Sequence, residues 1–147
     1  MFKRILVPID PDEIGLGRAA LDAATSIARS DGAQLRLVSV VKISHHDMLE
    51  YLPADYDAVQ QKKAAEKLAL VAASIELPAA NVSANARIGR AHHEVLEEAK
   101  DFGADLIVMS SHDPTAQTYV LGSNATQVVR HAHCSVLVIR HAAAKPM

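Results

Sequence analysis

The chain has 147 residues, half of them apolar, with no tryptophan, two phenylalanines and three tyrosines, so its hydrophobic content is aliphatic. A formal net charge of −2 leaves no basic footprint for sequence-independent binding to nucleic acid or an anionic membrane, and so few aromatics exclude a base-stacking platform for single strands. The length predicts one domain over residues 1–147, able to bury about 68–70% of its unfolded surface.

The opening Lys3-Arg4-Ile5-Leu6-Val7-Pro8-Ile9-Asp10 starts like a signal peptide, but Pro8 and Asp10 cut the apolar run short. No stretch approaches the roughly 18 apolar residues of a membrane span. Cys134 is the single cysteine, so no intrachain disulfide forms, as in a reducing compartment. The expectation is a soluble cytoplasmic protein.

Strand-length apolar runs follow at Arg4–Ile9, Gln34–Val41, Asn81–Ile88, Asp105–Ser110 and Ser135–Arg140. Helical periodicity fills Glu13–Arg29, Ala58–Ile75, Ala91–Phe102 and Asn124–His131. In the first helix Ile14, Ala20, Leu21, Ala24, Ile27 and Ala28 share a stripe, while Asp12, Arg18, Asp22 and Arg29 face away. Gly32, Pro78 and Gly103 follow successive helices as stop signals. Near-continuous apolar strands suit a parallel sheet covered on both faces, and the βαβαβαβαβ alternation predicts an open α/β layer fold with right-handed crossovers. The connection Lys42–Asp57 is long for such a fold and reads as a flap or a connector.

In open parallel sheets a ligand sits beyond the carboxyl ends of the strands. That rule nominates Pro8-Ile9-Asp10, Val40-Val41, Ile88-Gly89-Arg90 and Met109-Ser110-Ser111-His112. Leu121-Gly122-Ser123-Asn124 opens the last helix, and its free amides suit an anion such as phosphate. Gly89, opening the third helix, offers a second set of donors. Ordinary helix capping also accounts for Ser, Asn and Gly at these positions. Neither a P-loop nor a Gly-x-Gly-x-x-Gly fingerprint after a strand occurs.

The stretches Lys3–Asp10, Leu37–Val40, Asp105–His112, Gly122-Ser123 and Cys134–Arg140 together resemble the universal stress protein family, in its single-domain bacterial branch. The resemblance implies a Rossmann-like α/β fold: an open, doubly wound, five-stranded parallel sheet in the order 3-2-1-4-5 with helices on both faces. It implies an adenine-nucleotide ligand, ATP or AMP. Asp10 would lie near the ribose or a magnesium ion brought by ATP, Val40 would meet adenine through its backbone, and Met109, Ser110, Ser111 and His112 would line the nucleotide. Gly122, Ser123 and Asn124 would hold phosphates, with Pro8, Ile9 and Gly89 completing the site. Ser110 and Asp113 stand where the family's ATP-binding pattern has glycines, and the spacing to Gly122-Ser123 is one residue shorter. Those glycines let backbone amides approach phosphate.

Other residues have simpler readings. The pairs His45-His46 and His92-His93 point their neighbours apart, and no Cys/His quartet occurs, so no structural metal is expected. Ser111-His112-Asp113 is contiguous, whereas a hydrolase triad converges from separate segments. Cys134 reads as a small buried hydrophobe. Ser135–Arg140 forms an apolar edge strand, and the resemblance likewise implies a two-fold dimer through it. The function expected is a nucleotide-binding regulatory protein of the stress response and not an enzyme, with at most weak ATPase or autophosphorylation. The alternative is a member without nucleotide that acts by dimerising and binding partners.

Overall fold

A computed structural model describes residues 1–43, 52–111 and 121–140. His45-His46, Tyr51, the run His112-Asp113-Pro114 and Tyr119 lie outside the described residues, as does half of the long second connection, residues 44–51.

Five parallel strands make one sheet: β1 (Arg4–Pro8), β2 (Gln34–Val41), β3 (Val82–Ile88), β4 (Leu106–Ser111) and β5 (Ser135–Arg140), in the order β3-β2-β1-β4-β5. The helices are α1 (Ile14–Asp31), α2 (Tyr56–Ala73), α3 (Ala91–Phe102) and α4 (Ser123–His131). The strand order and the parallel pairing are those expected from the sequence.

Alternation along the strands divides the interior into two cores. Ile5, Val7, Leu35, Leu37, Leu106 and Val108 meet Ala20, Leu21, Ala24 and Ala28 of α1 and Leu68 of α2. Leu6, Val38, Ile107 and Met109 meet Val95 and Ala99 of α3 and Ala125 and Val128 of α4. The sheet is thus covered by α1 and α2 on one face and by α3 and α4 on the other. The alanine stripe of α1 packs as its periodicity predicts, with Ile14 and Ile27 at its margins.

Boundaries moved by one or two residues, with local causes. Ile9 leaves β1, although its N–H still donates to the Val38 carbonyl at 2.8 Å. Helix α1 continues to Asp31 and closes at the left-handed Gly32. Pro78 does not end α2, which stops at Ala73; it precedes the short turn Ala79–Asn81 that leads into β3.

Strand β3 departs from the continuous apolar pattern because it is an edge. Its Asn85 and Arg87 reach Glu98 of α3, which is 1% exposed. Arg36 of β2 donates to the same carboxylate at 3.1 Å, bonds Ser83 Oγ at 3.0 Å, and lies 4.4 Å over the Phe102 ring. A buried carboxylate needs this many donors to offset the loss of water.

Candidate functional site

Strand β1 is hydrogen-bonded to β2 on one side and β4 on the other. The chain leaves β1 toward α1 on one face and leaves β4 toward α4 on the opposite face. The divergence opens a cleft of about 660 Å³ above the carboxyl ends of the strands, the position expected for a ligand in this architecture.

Of the residues nominated from the sequence, Pro8, Ile9, Asp10, Val40, Met109, Ser110, Gly122, Ser123 and Asn124 all line this cleft. Gly89 and Ser111 are not among its lining residues, and His112 is outside the described residues. Ser111 is buried at the end of β4, in register with Arg140. The Gly89 N–H donates to the Val41 carbonyl at 2.9 Å and so continues the sheet. Gly89 has φ +149°, and a Cβ there would stand 2.8 Å from Glu94 Cγ; only glycine allows β3 to turn into α3 against that side chain.

The α3/α4 side of the cleft is apolar. Val40, Val95, Met109, Leu121, Ala125 and Val128 line it, with Ala91 and His92 at the start of α3. No Phe, Tyr or Trp is among the described lining residues, so a flat ring bound here would rest on aliphatic groups. Beside this lobe the strand supplies main-chain polarity. In a strand, alternate residues direct both N–H and C=O to the same neighbour. Val38 faces β1, where its carbonyl accepts from Ile9, so Val40 faces the same way, two residues further on. The β1–β2 ladder ends at Pro8 and Val38, which leaves the donor and acceptor of Val40 beyond the last rung.

Helix α4 begins at the rim of that lobe. Its N-cap is Gly122, with φ +80° and ψ 154°, which has no side chain of its own to cap the first amides. The left-handed φ strains any residue with a Cβ. Thr126 N–H and Oγ both bond the Gly122 carbonyl, at 3.1 and 2.7 Å, which fixes the first turn. The amides before Thr126 belong to Ser123, Asn124 and Ala125, all on the cleft lining, and the start of a helix is suited to an oxyanion.

The α1/α2 side is charged. Asp10 Oδ1 accepts from the Asp12 N–H at 2.9 Å and caps the turn Pro11–Glu13. Asp12 pairs with Lys67 of α2, Nζ to Oδ1 2.6 Å. Glu13, Gln60 and Lys63 complete this wall, and Lys42, just past β2, also lines the cleft. These lysines were missed in the sequence reading, although Lys63 and Lys67 stand four apart on one face of a helix, a spacing that was available. Buried Ser110 Oγ has no hydrogen-bond partner among the described residues and lies on the cleft lining. Buried hydroxyls are ordinarily satisfied, so this atom is poised for a ligand or water.

Among the described residues no group of three or more His, Cys, Asp or Glu is placed to hold a metal ion. Asp10 alone does not make a magnesium site, and an ion there would depend on oxygens from a bound phosphate. Cys134 is partly buried; burial, and then the nearby Asp105 charge, push its thiol pKa up, which suits packing rather than nucleophilic chemistry.

The model of the universal stress protein family matches residues 1–140. Universal stress protein G of Shigella flexneri is 34% identical over 143 residues, covering 95% of this chain and 100% of that protein. Among solved structures, the universal stress protein UspA from Lactobacillus plantarum superposes with a TM-score of 0.74 at 27% identity, covering 94% of this chain and 97% of that one. A universal stress protein solved in complex with cAMP has the same fold, with a TM-score of 0.61 at 19% identity, covering 94% and 97%. Among the described residues no helix is long and apolar enough to cross a membrane. With a family match spanning residues 1–140 and near full-length relatives, this chain belongs to the universal stress protein family.

Proposed function

We propose that this protein binds an adenine nucleotide, ATP or AMP, in the switch-point cleft and acts as a cytoplasmic regulator of the stress response without catalysing a reaction. The observation that carries the reading is the pairing, in one cleft, of an aliphatic lobe edged by the main chain of Val40, beyond the last β1–β2 rung, with the start of α4 at Gly122, a cap without a side chain. The lobe suits a purine and the helix start suits a phosphate. Pro8, Ile9 and Asp10 would border the ribose, Met109 and Ser110 would lie under it, and Gly122, Ser123 and Asn124 would take the phosphate. Ser111 and Gly89, which do not line the cleft, would act only by shaping the strand ends that do, and His112 would follow Ser111 toward the ligand. Magnesium would enter only with ATP, held jointly by phosphate oxygens and Asp10. The cAMP complex of a related fold supports an adenine ligand for that protein, and we extend the class to this one.

Mass spectrometry of the ligand released from the purified protein, followed by calorimetric titration with ATP, AMP and GTP, tests the reading. A co-purified adenine nucleotide and saturable heat with ATP or AMP are expected. No heat and no thermal shift with any of the three would sink it.

The place of β5 at the end of the strand order supports a second element, a homodimer paired through Ser135–Arg140, since among the described strands it neighbours β4 alone and Leu137 is 36% exposed. If nucleotide binding fails, that edge carries the alternative of a dimerising, partner-binding member.

A further inference from the structure

Gly17 stands near the start of α1, on the lining of the cleft. Its backbone does not ask for glycine, since it is not among the glycines with positive φ. Inside a helix glycine is less stable than alanine, so its presence calls for a reason of space. A Cβ at Gly17 would stand 2.7 Å from Ile9 Cδ1, closer than real Cβ atoms come to a neighbour. At Gly15, two residues earlier, exposed and off the lining, a Cβ would meet nothing within 4 Å. The room at Gly17 is therefore taken by one particular methyl group.

Ile9 is tied on its other sides. Its N–H donates to the Val38 carbonyl at 2.8 Å, which pins its main chain to β2. Its side chain is 5% exposed and belongs to the α1-side core with Val7, Leu21 and Val108, yet it also lines the cleft, next to Asp10. Core neighbours are close-packed and yield little, so a methyl driven from its place over Gly17 finds its free volume on the cleft side.

We propose that Gly17 is a positioning residue for the ligand: by leaving space for Ile9 Cδ1 it holds that side chain back from the cleft beside Asp10, where the ribose would lie. The inference rests on the nucleotide reading above and adds to it a residue that sets the shape of the site by acting through Ile9.

The test is calorimetric titration with AMP and ATP of the wild type, Gly15→Ala, Gly17→Ala, Ile9→Val and the double variant Gly17→Ala/Ile9→Val. Valine lacks the Cδ1 that the new Cβ would strike. Because that atom ends a flexible side chain, all four variants should fold, as circular dichroism checks. Gly17→Ala should weaken both nucleotides by about ten-fold and by the same factor, since the start of α4 is undisturbed. Gly15→Ala should stay within about two-fold of the wild type. On the Ile9→Val background, whatever that change does alone, adding Gly17→Ala should alter affinity by less than about two-fold. Methyl NMR spectra read the same contact without ligand: the Ile9 δ1 resonance should move in Gly17→Ala and stay in place in Gly15→Ala. Unchanged affinity or an unmoved resonance in Gly17→Ala, or a loss that persists in full on the valine background, overturns the positioning role and leaves the nucleotide reading standing. No binding of either nucleotide to the wild type overturns both.

Discussion

Arg87 of β3 donates from Nη1 to Glu98 Oε1 at 3.1 Å, and the carboxylate it meets is 1% exposed. Arg87 also holds Glu94 at 2.9 Å and Asp101 at 3.2 Å, so a single guanidinium ties three acids of α3 to the sheet. These acids, Glu94 foremost, hold its pKa further above the ordinary arginine range. Through α3 the network fixes the helix start where Ala91 and His92 border the cleft.

Removing the buried carboxylate should therefore be costly. Glu98→Ala leaves Arg36, Arg87 and Asn85 without their common acceptor, and breaking a buried pair costs about 3–5 kcal/mol. Because both guanidinium groups keep some water contact, the lower end, about 3 kcal/mol, is expected. Urea denaturation at neutral pH measures it. A loss under about 1 kcal/mol would mean that the network contributes little.

Asp31 gives a pH signature. The Phe2 N–H donates to its Oδ2 at 2.8 Å and the N-terminal ammonium lies 3.2 Å away. The Phe2 hydrogen bond first, and then the ammonium, hold this carboxyl below its ordinary value. A depressed folded pKa gives stability that is complete above the unfolded value of about 4 and is lost as pH falls through the folded one. Asp31→Asn should therefore be less stable than the wild type at pH 7, and the gap should close below about pH 4. Melting curves from pH 7 to 2.5 check this; a gap constant with pH would refute it.

Gly122 is the position where backbone shape decides ligand affinity. At φ +80° a β-branched residue costs at least about 1–2 kcal/mol of local strain, and relief of that strain would reorient the first amides of α4. Gly122→Val should lower nucleotide affinity by more than about ten-fold while leaving self-association unchanged. Titration and sedimentation of the same sample separate the two. Retained affinity would show that α4 does not hold the phosphate.

Strand β5 should pair with its copy. Sedimentation at micromolar concentration should show a dimer, and Leu137→Glu should weaken it by at least about ten-fold, since it places two like charges near the two-fold axis. A wild-type monomer would remove this edge as an interface.

How much of this could be read from the sequence depends on the range of the interactions. Strand runs such as Asp105–Ser110, and the alanine stripe of α1, are local patterns, and they were placed within one or two residues. Cleft residues at strand ends were legible because chain order and the position of the switch point follow from the βαβ pattern. What was not legible arises between elements distant in sequence. Glu98 looks like an exposed helix acid until Arg36, 62 residues away, meets it. Lys67 looks like surface charge until α2 brings it to Asp12 in the turn after β1. The amide of Gly89, nominated as a ligand donor, turned out to be held by Val41, a pairing fixed by how far β3 runs before it bends.

The two borders of the sheet are unlike. On one, β3 carries Asn85 and Arg87, engaged by α3; on the other, β5 is apolar, with Val136, Val138 and Ile139 packed against the two cores and Leu137 exposed. A sheet adhesive on both borders adds copies without end, in the manner of a fibril. With one border charged and the other apolar, a contact between two identical β5 borders would close on itself and stop at two. Charge on the β3 border, held there by α3, would then oppose edge-to-edge growth on that side.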